Sequence, residues 1–320
     1  MSAFLPSAVA VSKSSSACFC CSPSSSSSPQ LGDLCKTVLH SSTVTITDTH
    51  THLPPNPLSG NLRSVYMSLD GSPPSPPLTP SRPGDVFGLG VHPWYLGNLP
   101  PPPTPPPPTG NYDADLLAMI SLSLASHPNP LTSDLKRQVL GLPNGTKYII
   151  GECGLDKVAW KRSGNMYAQL SAFLAHVALG LPMSMHCVKA GRETRMCLEA
   201  VWGRGGEGKA PTFVIVHGFC FREQEVVEWE ALERRVRKIG GCEDFRVYFG
   251  LCPRHVKVEV VPERVHGRCL VESDMAEGGV EEQREMLARA ASMCGGGEEA
   301  ERRWIECLKK LPCGGSYGSG

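Results

Sequence analysis

Short apolar runs recur along the chain, and most are followed by a longer stretch with helical spacing. Thr43-Val44-Thr45-Ile46-Thr47 alternates with period two and reads as a strand. Seven further runs read the same way: Leu62 to Leu69, Val86 to Val91, Tyr148-Ile149-Ile150, Pro182 to Cys187, Pro211 to Val216, Phe245 to Leu251 and Arg268 to Val271. Helical patterns cover Asp113 to Ala125, Met166 to Leu179, Glu193 to Trp202, Arg222 to Lys238, Val280 to Met293 and Glu298 to Leu311. Gly240-Gly241 stops the fourth, and Gly295-Gly296-Gly297 splits the last two. Strands alternating with helices imply βαβ units and a parallel sheet, and eight of them imply a (β/α)8 barrel.

Composition trims this picture at its edges. The chain has 320 residues with Gly 33 and Pro 29, so part of it is linker or tail. Residues 1–42 read as a disordered Ser- and Cys-rich tail, 43–312 as the barrel, and 313–320 as a Gly-rich tail. Six prolines in Ser72 to Pro83, and a run from Pro100 to Pro108 broken only by Thr104, exclude helix and strand interiors. They read as loops over 72–83 and 99–109. The second is a stiff spacer, or a site for a protein module that takes Pro-rich peptides. Leu53 to Asn61 holds three prolines and leaves no room for a full first helix, so the barrel is expected to have reduced first helices.

Charge and cysteine set the chemistry's limits. Lys+Arg 31 balances Asp+Glu 31, which excludes a chain that grips nucleic acid by bulk charge alone. No apolar run approaches the roughly 20 residues of a membrane span. The N-terminus lacks the charged start and unbroken apolar core of a secretory signal. The 14 Cys therefore read as reduced thiols, and the expected location is cytoplasmic and/or nuclear. The lone C-x-x-C, Cys18 to Cys21, has no second pair to complete a zinc ribbon.

In such barrels, chemistry gathers at the C-terminal ends of the strands. The first strand leads into Asp48-Thr49-His50-Thr51-His52, the third into His92-Pro93-Trp94, and the fourth into Gly151-Glu152-Cys153-Gly154-Leu155-Asp156. The fifth ends in His186, the sixth in His217 and the eighth in Glu272-Ser273-Asp274. Five of the ten His fall at strand ends, which scattered core histidines would not do. His50 and His52, two apart on a strand, point to one face and form half of a metal site. Imidazole with carboxylate suits Zn, Mn, Fe or Ni, and admits Mg where carboxylates dominate. His40, His127, His176, His255 and His266 have no supporting partners and are set aside. Cys153, Cys187 and Cys220 read as small core thiols. The charge run Glu223 to Lys238 reads as a solvated helix face. Trp94 and Tyr95 are either loop anchors or a surface on which a base can stack.

DTHTHL, GVHPW, GECGLD, LPMSMHC, VIVHGF and VESD occur in the order and approximate spacing of the TatD-related metal-dependent deoxyribonucleases, which are amidohydrolase-like (β/α)8 barrels. The chain resembles that family from about Val44 to Met275, and its ESD resembles a fungal and eukaryotic branch. The resemblance implies two divalent ions, with Mg expected and Mn or Zn as alternatives. His50 and His52 would bind one ion and Glu152 would bridge both. His186 and His217 would hold the second. Asp274 would ligate the first and accept the proton of the attacking water. His92 would touch a phosphate, and Lys189 is the candidate contact where many members carry an Arg at the position of Val188. The implied activity is hydrolysis of phosphodiesters, mainly exonucleolytic removal of nucleotides from DNA 3′ ends. Two other readings stand beside it. One keeps the metals for a small-molecule phosphoester or C–N bond; the other is a non-catalytic interaction protein on the same fold.

Overall fold

The computed structural model describes residues 45–52, 62–67, 85–96, 104–105, 107–126, 129–163, 166–203, 209–239, 242–256 and 261–314. The N-terminal tail with its C-x-x-C, the short segment after the first strand, the 72–83 loop, part of the 99–109 loop and most of the Gly-rich C-terminus lie outside them. Eight strands form one sheet in sequential order, every neighbouring pair parallel. They are β1 Ile46–Thr51, β2 Leu62–Met67, β3 Val86–Leu89, β4 Tyr148–Asp156, β5 Met183–Val188, β6 Phe213–Val216, β7 Arg246–Leu251 and β8 Cys269–Val271. The helices are α1 Tyr112–Ala125, α2 Pro130–Gly141, α3 Lys157–Ser163, α4 Met166–Val177, α5 Gly191–Trp202, α6 Glu223–Ile239, α7 Glu263–His266, α8 Val280–Met293 and α9 Gly297–Lys310. The fold is a (β/α)8 barrel.

Period-two alternation sorts the strand residues. Met183, Met185, Val214, Val216, Val247, Phe249 and Leu251 pack with the helices in one large core. Val65, Met67, Val86, Ile149, Phe213, Ile215, Tyr248 and Leu270 form a second cluster, joined by Trp304 and Cys307 of α9 and by Leu311 just after it. Continuing the second set along its strands by steps of two leads from Ile215 to His217 and from Leu270 to Glu272. The polar residues are thus the next layer above an apolar plug.

The seam between the first and last strands is made by hydrogen bonds spanning most of the chain. Asp274 N–H donates to His50 O (3.1 Å) and His52 N–H to Met275 O (2.9 Å). Thr49 Oγ1 donates to Val271 O (2.9 Å). Asp48, fully buried, accepts the N–H and hydroxyl of Ser273 (3.0 and 2.5 Å) and the amide of Gln283 on α8 (2.7 Å). Burial pushes its carboxyl up to about 6, against the pull of those hydrogen bonds.

Two strands differ from expectation. β1 extends through His50 to Thr51, and β4 runs to Asp156, carrying Glu152 inside the strand rather than after it. α2 and α3 were missed by helical periodicity. Their caps carry the signal: Asn129 Oδ1 accepts from Leu131 N–H with Pro130 at the first turn, and Asp156 Oδ1 accepts from Val158 and Ala159 N–H. No helix among the described residues is long and apolar enough to cross a membrane.

The charged α6 is tied down at Glu233, whose side chain is only 3% exposed. It pairs with Arg237 (2.5 Å), Arg246 (3.3 Å) and Arg268, and accepts Val247 N–H (2.9 Å). Burial opposes its charge, but the Arg268 and Val247 hydrogen bonds and the Arg268 and Arg237 charges hold its carboxyl below the usual range. A carboxyl lowered on folding stabilises above its unfolded pKa, and that stability is lost as pH falls through the folded value. Glu233→Ala is therefore expected to cost about 3 kcal/mol at pH 7, the low end for a broken buried pair because the guanidiniums reach solvent. The gap from wild type should narrow in acid. Urea melts across pH check this; a loss under about 1 kcal/mol, or a gap that does not narrow, contradicts it.

Candidate metal centre

Glu152 is 1% exposed and sits at the middle of the barrel mouth. Its two oxygens face different groups. Oε2 lies 3.2 Å from His50 Nε2 and 3.4 Å from His52 Nε2. Oε1 lies 2.7 Å from His186 Nδ1 and 3.7 Å from both His217 Nε2 and His92 Nε2. Asp274 Oδ1 closes the cluster at 3.5 Å from His217 Nε2, 3.7 Å from His52 Nε2 and 3.9 Å from His50 Nε2. β1, β4, β5 and the segments after β6 and β8 thus each bring a donor to one point.

The outer nitrogen of each of four imidazoles faces an oxygen, which orients the ring. His52 Nδ1 donates to Met67 O (3.0 Å), and His50 Nδ1 meets Ser184 Oγ (3.2 Å). His217 Nδ1 lies 2.9 Å from Glu272 Oε1, which also accepts Gly218 N–H at 2.7 Å. His186 Nε2 lies 3.4 Å from Asp156 Oδ2. These outer contacts orient each ring so that its inner nitrogen points at Glu152, and loss of the inner proton would leave there the lone pair that a metal ligand needs. Gly154 makes the approach possible: a Cβ there would sit 2.0 Å from His186 O. Gly250 does the same beside Glu272, at 2.1 Å from Oε2.

His92 differs. Its Nδ1 accepts the backbone N–H of Trp94 (3.2 Å), so in the neutral ring Nε2 carries the proton and is a donor. Burial holds the ring neutral, its pKa lowered to about 3. His255, set aside on sequence, belongs here after all: its Nε2 lies 2.7 Å from Asp274 Oδ2. His176, also set aside, is fully buried on α4, where its Nε2 accepts Val91 N–H (3.1 Å) and positions the backbone before His92. Lys189 lies exposed at the end of β5 with a left-handed φ of 54°, and no ion pair ties its amine to the cluster among the described residues. The three cysteines beside the site stay protonated: burial pushes the Cys153 and Cys220 thiols up, and that of Cys187 to about 11.

The electrostatics call for cations. Glu152, Asp274, Glu272 and Asp156 converge, and none has a Lys or Arg partner among the described residues. Imidazoles are their only countercharge. Burial opposes ionisation of Glu152, but His92, His50, His217 and His186 hold its carboxyl well below the usual range. For Asp274, burial is likewise outweighed, by His217, His255 and His50. Reciprocally, burial lowers His186 and His217, but Glu152 and Asp156 raise the first to about 9, and Glu272, Asp274 and Glu152 raise the second well above its usual value. Protons on these rings stand where divalent ions would otherwise supply the charge. His50 Nε2 is buried with no hydrogen-bond partner among the described residues, and burial together with His217 lowers its pKa. A neutral imidazole with an orphaned inner nitrogen fits a metal better than a proton. Three donors from His50, His52 and Glu152 fall within 4.8 Å of one another, as do those of His92, Glu152 and His186, and those of His217, His255 and Asp274. The residues present can hold metal ions.

The model of the TatD related DNase family matches residues 81–289. The chain belongs to that family. This places it among metal-dependent hydrolases. Its fold is similar to the crystal structure of YJJV, a TatD homologue from Escherichia coli K12, at 16% identity over 83% of this chain and 95% of that one (TM-score 0.41). It is also similar to an uncharacterised amidohydrolase from Saccharomyces cerevisiae, at 14% identity over 72% of this chain and 75% of that one (TM-score 0.42). None of the curated proteins matches it.

If Glu272 fixes the His217 tautomer, Glu272→Gln should weaken metal binding by roughly 10–100-fold with little change in fold. Calorimetric titration of the metal-stripped protein with Mn or Zn measures this. Unaltered affinity would show that the Glu272–His217 contact does not aim the ligand.

Proposed function

We propose that this member of the family hydrolyses phosphodiester bonds and removes nucleotides from DNA 3′ ends, using two divalent ions. His50, His52 and Asp274 would hold one, His186 and His217 the other, and Glu152 would bridge them. The observation that carries this reading is the division of Glu152's oxygens, with Oε2 toward His50 and His52 and Oε1 toward His186 and His217. Bound divalent ions would supply Lewis-acid polarisation and lower the pKa of water toward neutrality. The donor set is mostly imidazole nitrogen, which ranks Zn and Mn above Mg by ligand preference, while Mg remains the family expectation.

The chain's own groups divide the remaining work. Asp274 Oδ1 faces the cluster and takes the proton of the attacking water. His255 Nε2 holds Oδ2, so the carboxylate presents its free oxygen inward. Asp274 lies three residues after β8 in a left-handed conformation (φ 51°), its N–H bonded to His50 O. His92 Nε2, a donor by its tautomer, is suited to a phosphate oxygen rather than to a metal. Lys189, exposed beside β5, would meet the backbone of a strand entering the mouth. Neutral overall charge is compatible with this, because the grip on phosphate is local.

The reading is tested with 5′-labelled single-stranded DNA in Mg, Mn and Zn. Stepwise shortening from the 3′ end is expected. Asp274→Asn should cut the rate by about 10²–10⁴-fold with an unchanged melting profile, and Glu152→Ala should abolish it. Undiminished length in all three metals, or wild-type rates in either variant, would overturn the proposal. Turnover of small phosphoesters alone would move the substrate to that class.

A further inference from the structure

The geometry points to Trp94 as the platform on which the terminal base of the strand stacks beside the metal centre. This inference rests on the phosphodiester reading and adds to it how the site recognises a nucleotide rather than a bare phosphate.

Trp94 is 53% exposed, and the other four tryptophans, Trp160, Trp202, Trp229 and Trp304, are buried. A large aromatic left half in water forgoes most of the gain from burial, so its place calls for a reason. The indole is not loose. Its Nε1 donates to Asp156 Oδ2 at 2.7 Å, and Asp156 is held by the N–H groups of Val158 and Ala159 and lies beside His186. The ring meets His92 edge-on at 4.9 Å between centroids and His186 at 6.0 Å. Both imidazoles face Glu152 Oε1. The indole is therefore fixed in orientation one ring away from the centre, with half of its surface open. Tyr95, 39% exposed and 6.1 Å from His92 between centroids, continues the aromatic surface.

A fixed, half-open indole costs little entropy to use, because its rotamer is already set by the Asp156 hydrogen bond. Every base has a π-face, so stacking tolerates any sequence, which suits removal of successive nucleotides. It also favours an unpaired end, whose base is free to leave its neighbours. The competing explanation is that Trp94 serves only to position Asp156 and, through it, His186. The two separate cleanly. A positioning role affects every substrate alike; a stacking role affects only substrates that carry a base.

Two strands, one ending in an ordinary 3′ nucleotide and one in a 3′ abasic tetrahydrofuran nucleotide, are digested by the full-length metal-loaded protein. Base–aromatic stacking of about 1–3 kcal/mol corresponds to roughly 5–150-fold. Wild type should prefer the ordinary end by a factor in that range, and in Trp94→Ala the preference should fall to near one. An unchanged preference in the variant, with both rates lowered, would assign Trp94 to positioning and overturn the proposal. A second readout needs no turnover. Trp94 is the one exposed tryptophan, so oligothymidylate should quench part of the protein's fluorescence in wild type and not in Trp94→Phe. Equal quenching in both, or none in wild type, overturns stacking. Absence of hydrolysis of either strand, with quenching retained in wild type only, would instead refute the phosphodiester reading and leave Trp94 as a base-binding surface.

Discussion

One buried carboxylate organises this molecule. Glu152 lies inside β4, out of water, with no Lys or Arg to neutralise it among the described residues. An isolated carboxylate in such a place would cost several kcal/mol or take up a proton. Instead five imidazoles surround it, and the positive charge of His186 and His217 keeps it ionised beside a second carboxylate, Asp274. The arrangement is stable as a set and poorly stable in part: remove the positive partners and the carboxylates repel, remove Glu152 and the rings lose the countercharge they share. Divalent ions satisfy the whole set at once, which is why the cluster is read as a metal centre rather than as a salt-bridge network.

The barrel supplies what this cluster needs. Parallel strands point their C-terminal ends to one mouth, so residues more than 200 positions apart meet there without long side chains. The β1–β8 seam sets His50 and His52 beside Asp274 through backbone hydrogen bonds, and Asp48 ties the same seam to α8. The apolar layer below, from Val65 to Leu270 with Trp304 of α9, excludes water from beneath. Outside the ring of donors, Met67 O, Ser184, Asp156 and Glu272 fix which nitrogen of each imidazole faces in. Metal affinity and proton transfer both depend on these tautomers, so the outer groups carry function without touching the reacting atoms.

Much of this was legible in the sequence because period-two runs and strand-end residues follow directly from barrel geometry. All eight strands fall where short apolar runs occur, and His50, His52, Glu152, His186, His217 and Asp274 do converge. The misses have physical causes. His255 follows β7 after a turn, with no flanking motif, and only the fold shows that this turn leans over Asp274. Glu272 was seen as one of several acids at a strand end; that it aims His217 depends on a side-chain direction, which spacing cannot give. His176 lies on a helix and was set aside for want of partners, yet it is buried and holds the backbone before His92. α3 escaped a search for helical periodicity because it has only 7 residues, while α2 is as long as α4 and α5 but buries only a narrow stripe of Leu131, Leu135 and Val139; the caps at Asn129-Pro130 and Asp156 are the more telling signal. β4 ran past its apolar stretch because Glu152 and Asp156 are buried by partners rather than by hydrophobicity.

The most direct test is anomalous diffraction from crystals soaked in Mn. The account predicts two peaks, one on each side of the Glu152 carboxylate, with His50 and His52 on one and His186 on the other. Peaks that leave Glu152 uncoordinated, or none within the barrel mouth, would contradict it.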